Sequence, residues 1–334
     1  MTSSPIETAA AAAELGGTPS DGPRGDHATR TGAAPQRKRR RSAHSDGAWP
    51  WLFVLPLLSG VLLFYLWPIA KNFMLSFEQV SPFGNRSEFV GLQNYQNLIQ
   101  SGQLGGAFLN TMLYTGIVLL GIPIAVFLAA LISRPGLKGA NVYRTIYFMP
   151  YVAMPAAISI VWKMIYNGDF GVLNYILRSI GIDNPPYWLS TPGFALFAVA
   201  ILGLWASIGF NMIILSAGLK SIPQELYEAA SLDGAGHMRQ FFSVTVPLLT
   251  PSIFFLTVMQ AISGFQLFDT LFVLISPSSP AMPHTRSMVY LFYEQAFINN
   301  DKGYGAAIAV VILLLVAIVT AIQFRLQKRW VNYV

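Results

Sequence analysis

The chain has 334 residues, of which 54% are hydrophobic and 11% charged, and its net charge is +6. A soluble domain carries about a quarter charged residues, so this balance excludes an ordinary soluble fold and points to a membrane protein. Cysteine is absent, which excludes disulfides, thiolate metal sites and a cysteine nucleophile.

Residues 1–48 are rich in Ala, Ser, Thr, Gly and Pro. Such a segment cannot bury enough apolar surface to offset its ordering entropy, so it is expected to be a disordered cytoplasmic tail. Its end, "QRKRRR" (Gln36 to Arg41), lies just ahead of an apolar run. No small-residue cleavage site follows that run, so it does not read as a signal peptide. The basic cluster reads as a topology signal rather than a nucleic-acid patch.

Residues 49–334 read as one six-span domain, which makes the chain an all-α membrane protein. A spanning helix needs about 20 apolar residues at about 1.5 Å each. Runs that qualify lie at about 50–73, 107–133, 145–166, 192–217, 250–274 and 303–324. Pro56, Pro123, Pro150 and Pro155 fall inside them, and membrane helices tolerate proline. With the N-terminus inside, the inner segments hold fifteen Lys and Arg against five outside, Lys163 completing the 21. That bias places both termini in the cytoplasm. It also removes the nucleic-acid reading of the charge.

Two outer connections carry helical patterning. "FVGLQNYQNLI" (Phe89 to Ile99) is spaced like a helix lying on the membrane surface, and "NGDFGVLNYILRSIGI" (Asn167 to Ile182) like a turn followed by a short amphipathic helix. Either contact with an external partner or simple capping of the bundle would account for them.

The longest inner connection after the tail is 218–249, and it contains "ELYEAASLDGAG". Ser221 is expected to cap a helix, with Gln224 as its reciprocal partner and Pro223 in the first turn. Glu225 and Glu228 then sit where the helix dipole favours negative charge. The helix should stop near Gly234, Gly236 should let a second short helix leave at an angle, and Pro247 should end that one. Ala229 and Ala230 lack bulk. The expected product is a helix–turn–helix knuckle protruding from the membrane, open to close approach.

Glu228-Ala229-Ala230, three residues, Gly234, nine residues, then Val244-Thr245-Val246-Pro247 resembles the EAA motif of ABC importer permeases. That motif ends in Ile-x-Leu-Pro, and Val takes both apolar places here. "PYVAMPAAISIVWKMIYNGDFGVLNYILRSIGI" and "GFQLFDTLFVL" are similar to the carbohydrate-uptake branch, in particular to permeases of the maltose and glycerol-phosphate type. Members often follow the fifth span with Thr-x-Gly-Gly-Pro, where this chain has "ISPSSP" (Ile275 to Pro280). The resemblance implies a six-span permease whose knuckle is a coupling helix. That helix docks on a dimeric cytoplasmic ATPase and follows its closure. Glu228 matches the motif glutamate, and Ala229, Ala230, Asp233 and Gly234 form the rest of the contact. Further implied partners are a second permease subunit and an extracytoplasmic solute-binding protein, in a plasma membrane. No cofactor is expected in this chain, ATP and magnesium being held by the ATPase.

Polar residues inside spans are costly and so are functional candidates. Asn110, Asn211, Gln260, Gln266 and Asp269 qualify, with Trp205, Phe210, Phe265 and Phe268 nearby in sequence. A sugar is read by amides, carboxylates and aromatic faces, although membrane amides also hold helices together. Gln266 and Asp269 are expected on one helix face near the outer end, where Lys163 could pair with Asp269. The four histidines, His27, His44, His237 and His284, fall outside the spans, and no Walker-type glycine loop is present. An intramembrane enzyme and an ATPase therefore find no residues to support them. A permease for a non-sugar solute, such as an amino acid, phosphate ester or polyamine, shares the same knuckle and is the remaining alternative.

Overall fold

The computed structural model describes residues 49–81, 87–134 and 136–331. The expected tail and Arg86 lie outside the described residues. By its contacts the chain divides into 1–55 and 56–334. Of the first unit, residues 49–55 are described, as the opening turns of a helix.

The first span, α1, runs Trp49–Val61, through a π-helical turn at Leu62–Leu66, and on to Trp67–Leu75. Asn72 donates to the Ala306 carbonyl of the last span (3.4 Å), but within Trp51–Leu75 no side chain is buried, so much of its surface is open to lipid or another chain. A short hairpin follows, β1 (Glu78–Val80) against β2 (Ser87–Phe89), antiparallel with Glu78 opposite Phe89. Phe89 is therefore a strand residue, and the expected surface helix begins only at Gln93 (α2, Gln93–Gln100). Buried Asn94 holds this cap in place by donating to the carbonyls of Ser76 and Glu78, each at 3.0 Å.

The second span, α3 (Gln103–Ile132), matches its expected place. The third does not run straight. It is two helices, α4 (Ala140–Val152) and α5 (Pro155–Ile165), bent by 98°. Ala153 and Met154 are extended, with ψ of 145° and 127°. Steric clash with the Pro155 ring disfavours helical backbone at Met154, and Pro155 has no N–H with which to continue the ladder.

Beyond α5 the expected turn and helix are both found. Asn167 Oδ1 accepts from the Asp169 and Phe170 N–H groups, and α6 spans Val172–Ser179. Asn174 and Arg178 donate back to that turn. Tyr187 closes it by donating to the Asp169 carboxylate, which raises the phenol above its ordinary pKa.

The fourth span, α7 (Phe194–Lys220), is unbroken. The inner connection forms α8 (Gln224–Leu232) and α9 (His237–Leu248). The fifth span, α10, covers only Thr250–Phe265 and meets α9 at 64°. The chain then stops at Gln266–Phe268 and restarts as the six-residue α11 (Asp269–Leu274). The expected continuous span to residue 274 is thus corrected: Gln266 ends one helix and Asp269 begins another. Short helices α12 (Met282–Thr285) and α13 (Met288–Tyr293) precede the sixth span, α14 (Lys302–Trp330). Among the described residues four helices are long and apolar enough to span alone, and the number is six with each bent pair taken as one span.

The buried centre lies where α7 meets α3, α4 and α10. Its α7 face is mostly small residues, among them Ala195, Ala198 and Ala200. Without a hydrophobic force between helices in lipid, such residues gain packing by close approach. Gly209 shows how close: a Cβ there would run into the backbone carbonyl of Tyr147 on α4. The segment joining α12 to α13 is stitched onto α3 by Asn110 donating to the Arg286 carbonyl (3.1 Å) and by the Met288 N–H donating to Thr111 Oγ1 (3.1 Å). Asn110 therefore serves this junction.

Candidate functional site

The singled-out residues fall into two regions, a knuckle and a cavity. The knuckle is α8 and the start of α9. Its helix begins at Gln224 with Pro223 in the cap position, and no side chain caps it. Ser221 does not take the expected capping role; its hydroxyl donates instead to the Gly218 carbonyl (2.7 Å), closing α7. Glu225 remains in the first turn, where the dipole favours it.

The other end follows the sequence closely. Gly234 has φ of +75°, the Ala235 N–H donates to the Ala230 carbonyl (2.9 Å), and the Gly234 N–H donates to that of Ser231 (3.0 Å). Those paired bonds satisfy the last carbonyls of α8, and the left-handed position favours glycine. Gln240 then clips the two helices together, donating to Ser231 Oγ and to the Ala235 carbonyl, both at 2.9 Å. Tyr227 and Thr245 share a hydroxyl bond at 3.0 Å. Pro247 does not stop α9, which runs one residue past it. A π-helical turn at Phe241–Thr245 widens the ladder just ahead, with the Val246 N–H bonded to the Phe241 carbonyl.

Glu228, Ala229, Asp233 and Gly234 are all exposed, Ala230 is half-buried, and nothing lies within 4 Å of where a Gly234 Cβ would project. Among the described residues no basic side chain forms an ion pair with Glu225, Glu228 or Asp233. Leu232 is 90% exposed beside them, and Met238 and Phe242 are also open. Sequence reading passed over these apolar residues, because an isolated leucine at a helix end gives no periodic signal. A rigid, self-capped knuckle with unpaired carboxylates and bare apolar side chains is chemically ready to be covered by another surface.

The second region is a cavity of about 310 Å³. The break in the third span forms one wall with Pro150, Tyr151 and Pro155, α7 contributes Ser207 and Phe210, and α10 contributes Gln260 and Ser263. Tyr151 stacks on Phe210, with ring centroids 4.7 Å apart and planes 21° apart. Gln260 Nε2 donates to Asn211 Oδ1 at 2.9 Å. Asn211 is fully buried and its Nδ2 has no hydrogen-bond partner, a cost of about 1–3 kcal/mol for a buried polar group. No Asp, Glu, Lys, Arg or His is among the lining residues. The cavity thus offers an amide, hydroxyls and aromatic faces, the equipment for hydrogen bonding and stacking with a neutral polar molecule.

Of the four predicted pathway residues, Gln260 lines this cavity and Asn211 supports it from behind. Gln266 and Asp269 are exposed and lie outside the lining, although Thr270 reaches it. They do not share a helix, which corrects the expectation of one common face. Lys163 donates to the Val273 carbonyl (3.4 Å) and makes no ion pair with Asp269. Tyr151 went unpredicted; the available signal was the pair of prolines five residues apart that flank it in one apolar run.

Comparison with known proteins agrees with this architecture. The family model described as "binding-protein-dependent transport system inner membrane component" matches residues 121–332. The sn-glycerol-3-phosphate transport system permease protein UgpA of Yersinia enterocolitica is 35% identical over 288 residues, which are 85% of this chain and 95% of that protein. UgpA of Escherichia coli (strain UTI89) is 33% identical over the same shares. Among solved structures, a chain of a bacterial ABC transporter involved in the import of the acidic polysaccharide alginate has a TM-score of 0.76 at 22% identity, covering 85% of this chain and 97% of that one. The same kind of transporter, in complex with an alginate pentasaccharide-bound periplasmic protein, has a TM-score of 0.75. With these matches behind its broken spans and protruding knuckle, the chain belongs to the family of binding-protein-dependent transport system inner membrane components, which are transport permeases.

Proposed function

We propose that this chain is one permease subunit of an ATP-driven, binding-protein-dependent importer for a sugar or sugar derivative. The observation that carries the reading is the composition of the cavity, amide, hydroxyl and stacked aromatic groups without a charge. Gln260 and Asn211 belong to the solute path in this reading, and Asp269 and Gln266 stand on its outer approach. A second permease subunit completes the path by covering surfaces such as the bare flank of α1. A phosphate ester is the second reading, favoured by the name of the UgpA relatives.

The knuckle is the coupling helix in this reading. Glu228, Ala229, Ala230, Asp233 and Gly234 meet a dimeric cytoplasmic ATPase, and its closure around ATP moves the two permeases between inward- and outward-facing states. An extracytoplasmic binding protein delivers the solute. Both termini are cytoplasmic, as the charge bias favours. A single cysteine at Ser279 should then react with an impermeant thiol reagent added to intact cells, and one at Ala235 should not. The reverse pattern would invert the topology.

Glu228→Ala provides the test of coupling. As an exposed, unpaired side chain, Glu228 contributes little to the bundle, and its loss should change stability by no more than about 0.5 kcal/mol. Covered by a partner, a charge pair that loses one member costs about 2–5 kcal/mol. The variant should therefore insert normally and pair with its sister permease. It should also retain the ATPase more than about tenfold less tightly on co-purification and lose ATP-driven uptake. Full ATPase retention with full uptake would remove the knuckle from the coupling role.

A further inference from the structure

A second cavity, of about 460 Å³, opens at the base of the knuckle. Three bases from three separate elements line it: Arg134 just past α3, Lys220 at the end of α7, and His237 at the start of α9. All three are exposed, and among the described residues none of them forms an ion pair. The carboxylates of the same loop, Glu225, Glu228 and Asp233, are not in the lining. The other side of the cavity is apolar, with Phe127 and Phe241 edge to face at 6.4 Å and Leu131 beside them. Phe127 and Leu131 are themselves open on the flank of α3, a spanning helix. Where the two sides meet, the buried Ser133 hydroxyl has no hydrogen-bond partner.

That gradient, from an apolar wall on a spanning helix to a ring of bases at its end, matches one class of molecule. An acyl chain suits the first and an anionic headgroup the second, and membrane-facing basic pockets between helix ends take such headgroups. We propose that this groove is a binding site for an anionic phospholipid. Its phosphate is held by Arg134, Lys220 and His237, with the Ser133 hydroxyl as a further donor and one acyl chain laid along Phe127 and Leu131. Because Tyr227 and Gln240, which brace the knuckle, also line the groove, an occupant would stiffen the knuckle against the bundle. The site is independent of which solute is carried and of the coupling role of Glu228.

The test uses the complete transporter in nanodiscs of phosphatidylcholine containing a minor fraction of phosphatidylglycerol, with bound lipid counted by native mass spectrometry. Phosphatidylglycerol should be retained selectively. Arg134→Gln and Lys220→Gln should each weaken it about fivefold, the worth of one basic side chain at an anionic surface. Ala130→Leu, which fills the groove and leaves every charge in place, should weaken it as well. The discs present lipid to both ends of the bundle, so the result does not depend on topology. Equal retention of phosphatidylcholine would overturn the proposal, as would unchanged retention in Ala130→Leu, which would mean diffuse surface charge. Displacement by millimolar inorganic phosphate would assign the site to a free anion. Retention by the isolated permease pair but not by the complete transporter would assign the cavity to the ATPase interface.

Discussion

Glu228 stands exposed on a nine-residue helix that closes itself through Gly234 and Gln240, whereas Gln260 is buried on a sixteen-residue helix and shares its amide with Asn211. The knuckle holds its shape by bonds that all lie between Tyr227 and Thr245. The cavity is assembled from residues separated by as much as 156 positions, Tyr114 to Thr270, with the broken third span as one wall. One region is a locally closed, exposed device, and the other is a space lined by helices that do not run straight. Substitutions should therefore act differently in the two. In the knuckle they should spare the fold and damage assembly; around the cavity they should damage the fold and the path together.

Two glycines sharpen that contrast most. At Gly209 any side chain meets the backbone of α4, which cannot swing aside as a side chain would. Gly209→Leu should cost about 3 kcal/mol, the upper end for overpacking, and should lower the melting temperature of the purified protein with loss of uptake. At Gly234 the space is open and the penalty comes from φ of +75°, about 1–2 kcal/mol for a residue with a Cβ. Gly234→Leu should lower the melting temperature by clearly less than Gly209→Leu while weakening ATPase retention. Equal thermal losses in the two variants would erase the distinction drawn here.

The next comparison is within the cavity wall. Gln260→Leu removes the acceptor's donor and leaves buried Asn211 with neither group satisfied, so stability should fall by about 1–3 kcal/mol. Replacing both residues by Leu removes the polar groups as a pair, which is close to neutral when shape is kept. The double variant should recover the stability lost by the single one. If the pair serves only to hold α7 to α10, uptake should recover with it. A stable double variant with poor uptake would place the amides on the solute path.

How much of this was legible in sequence follows the same division. The six spans, the stop at Gly234 and the turn at Asn167 rest on hydropathy, left-handed backbone and local side-chain bonds, all visible within a short window. The 98° bend at Ala153–Met154 has a local cause in Pro155, but the close approach of α4 to Gly209 on α7 is a contact that no window contains. Ser221 shows the opposite failure. Its capping-box spacing was real, yet the hydroxyl found the carbonyls of α7 first, since that helix runs on to Lys220. Gln266 and Asp269 read as one helix because they are isolated polar residues in a run to residue 274 that is otherwise mostly apolar, and hydropathy does not register a break between two helical pieces.

Asp269 should give the smallest structural effect. It is exposed at the first residue of α11, whose N–H groups have no side-chain cap, and a carboxylate in a first turn gains about 0.3–1 kcal/mol from the helix end. Its only expected debt to the fold is that fraction, because Lys163 donates to the Val273 carbonyl rather than to it. Asp269→Ala should thus leave the melting temperature within a degree or two of the parent. Its neighbour Thr270 lines the cavity, so with the cavity as the proposed solute path, the carboxylate stands beside that path. Uptake should fall in the alanine variant, with Asp269→Asn recovering part of it, since an amide keeps one acceptor oxygen, exchanges the other for a donor and loses the charge. Solute uptake measured over a concentration series decides the matter: unchanged kinetics in Asp269→Ala would reduce Asp269 to the dipole of a six-residue helix, and confine the path to the amides of α7 and α10.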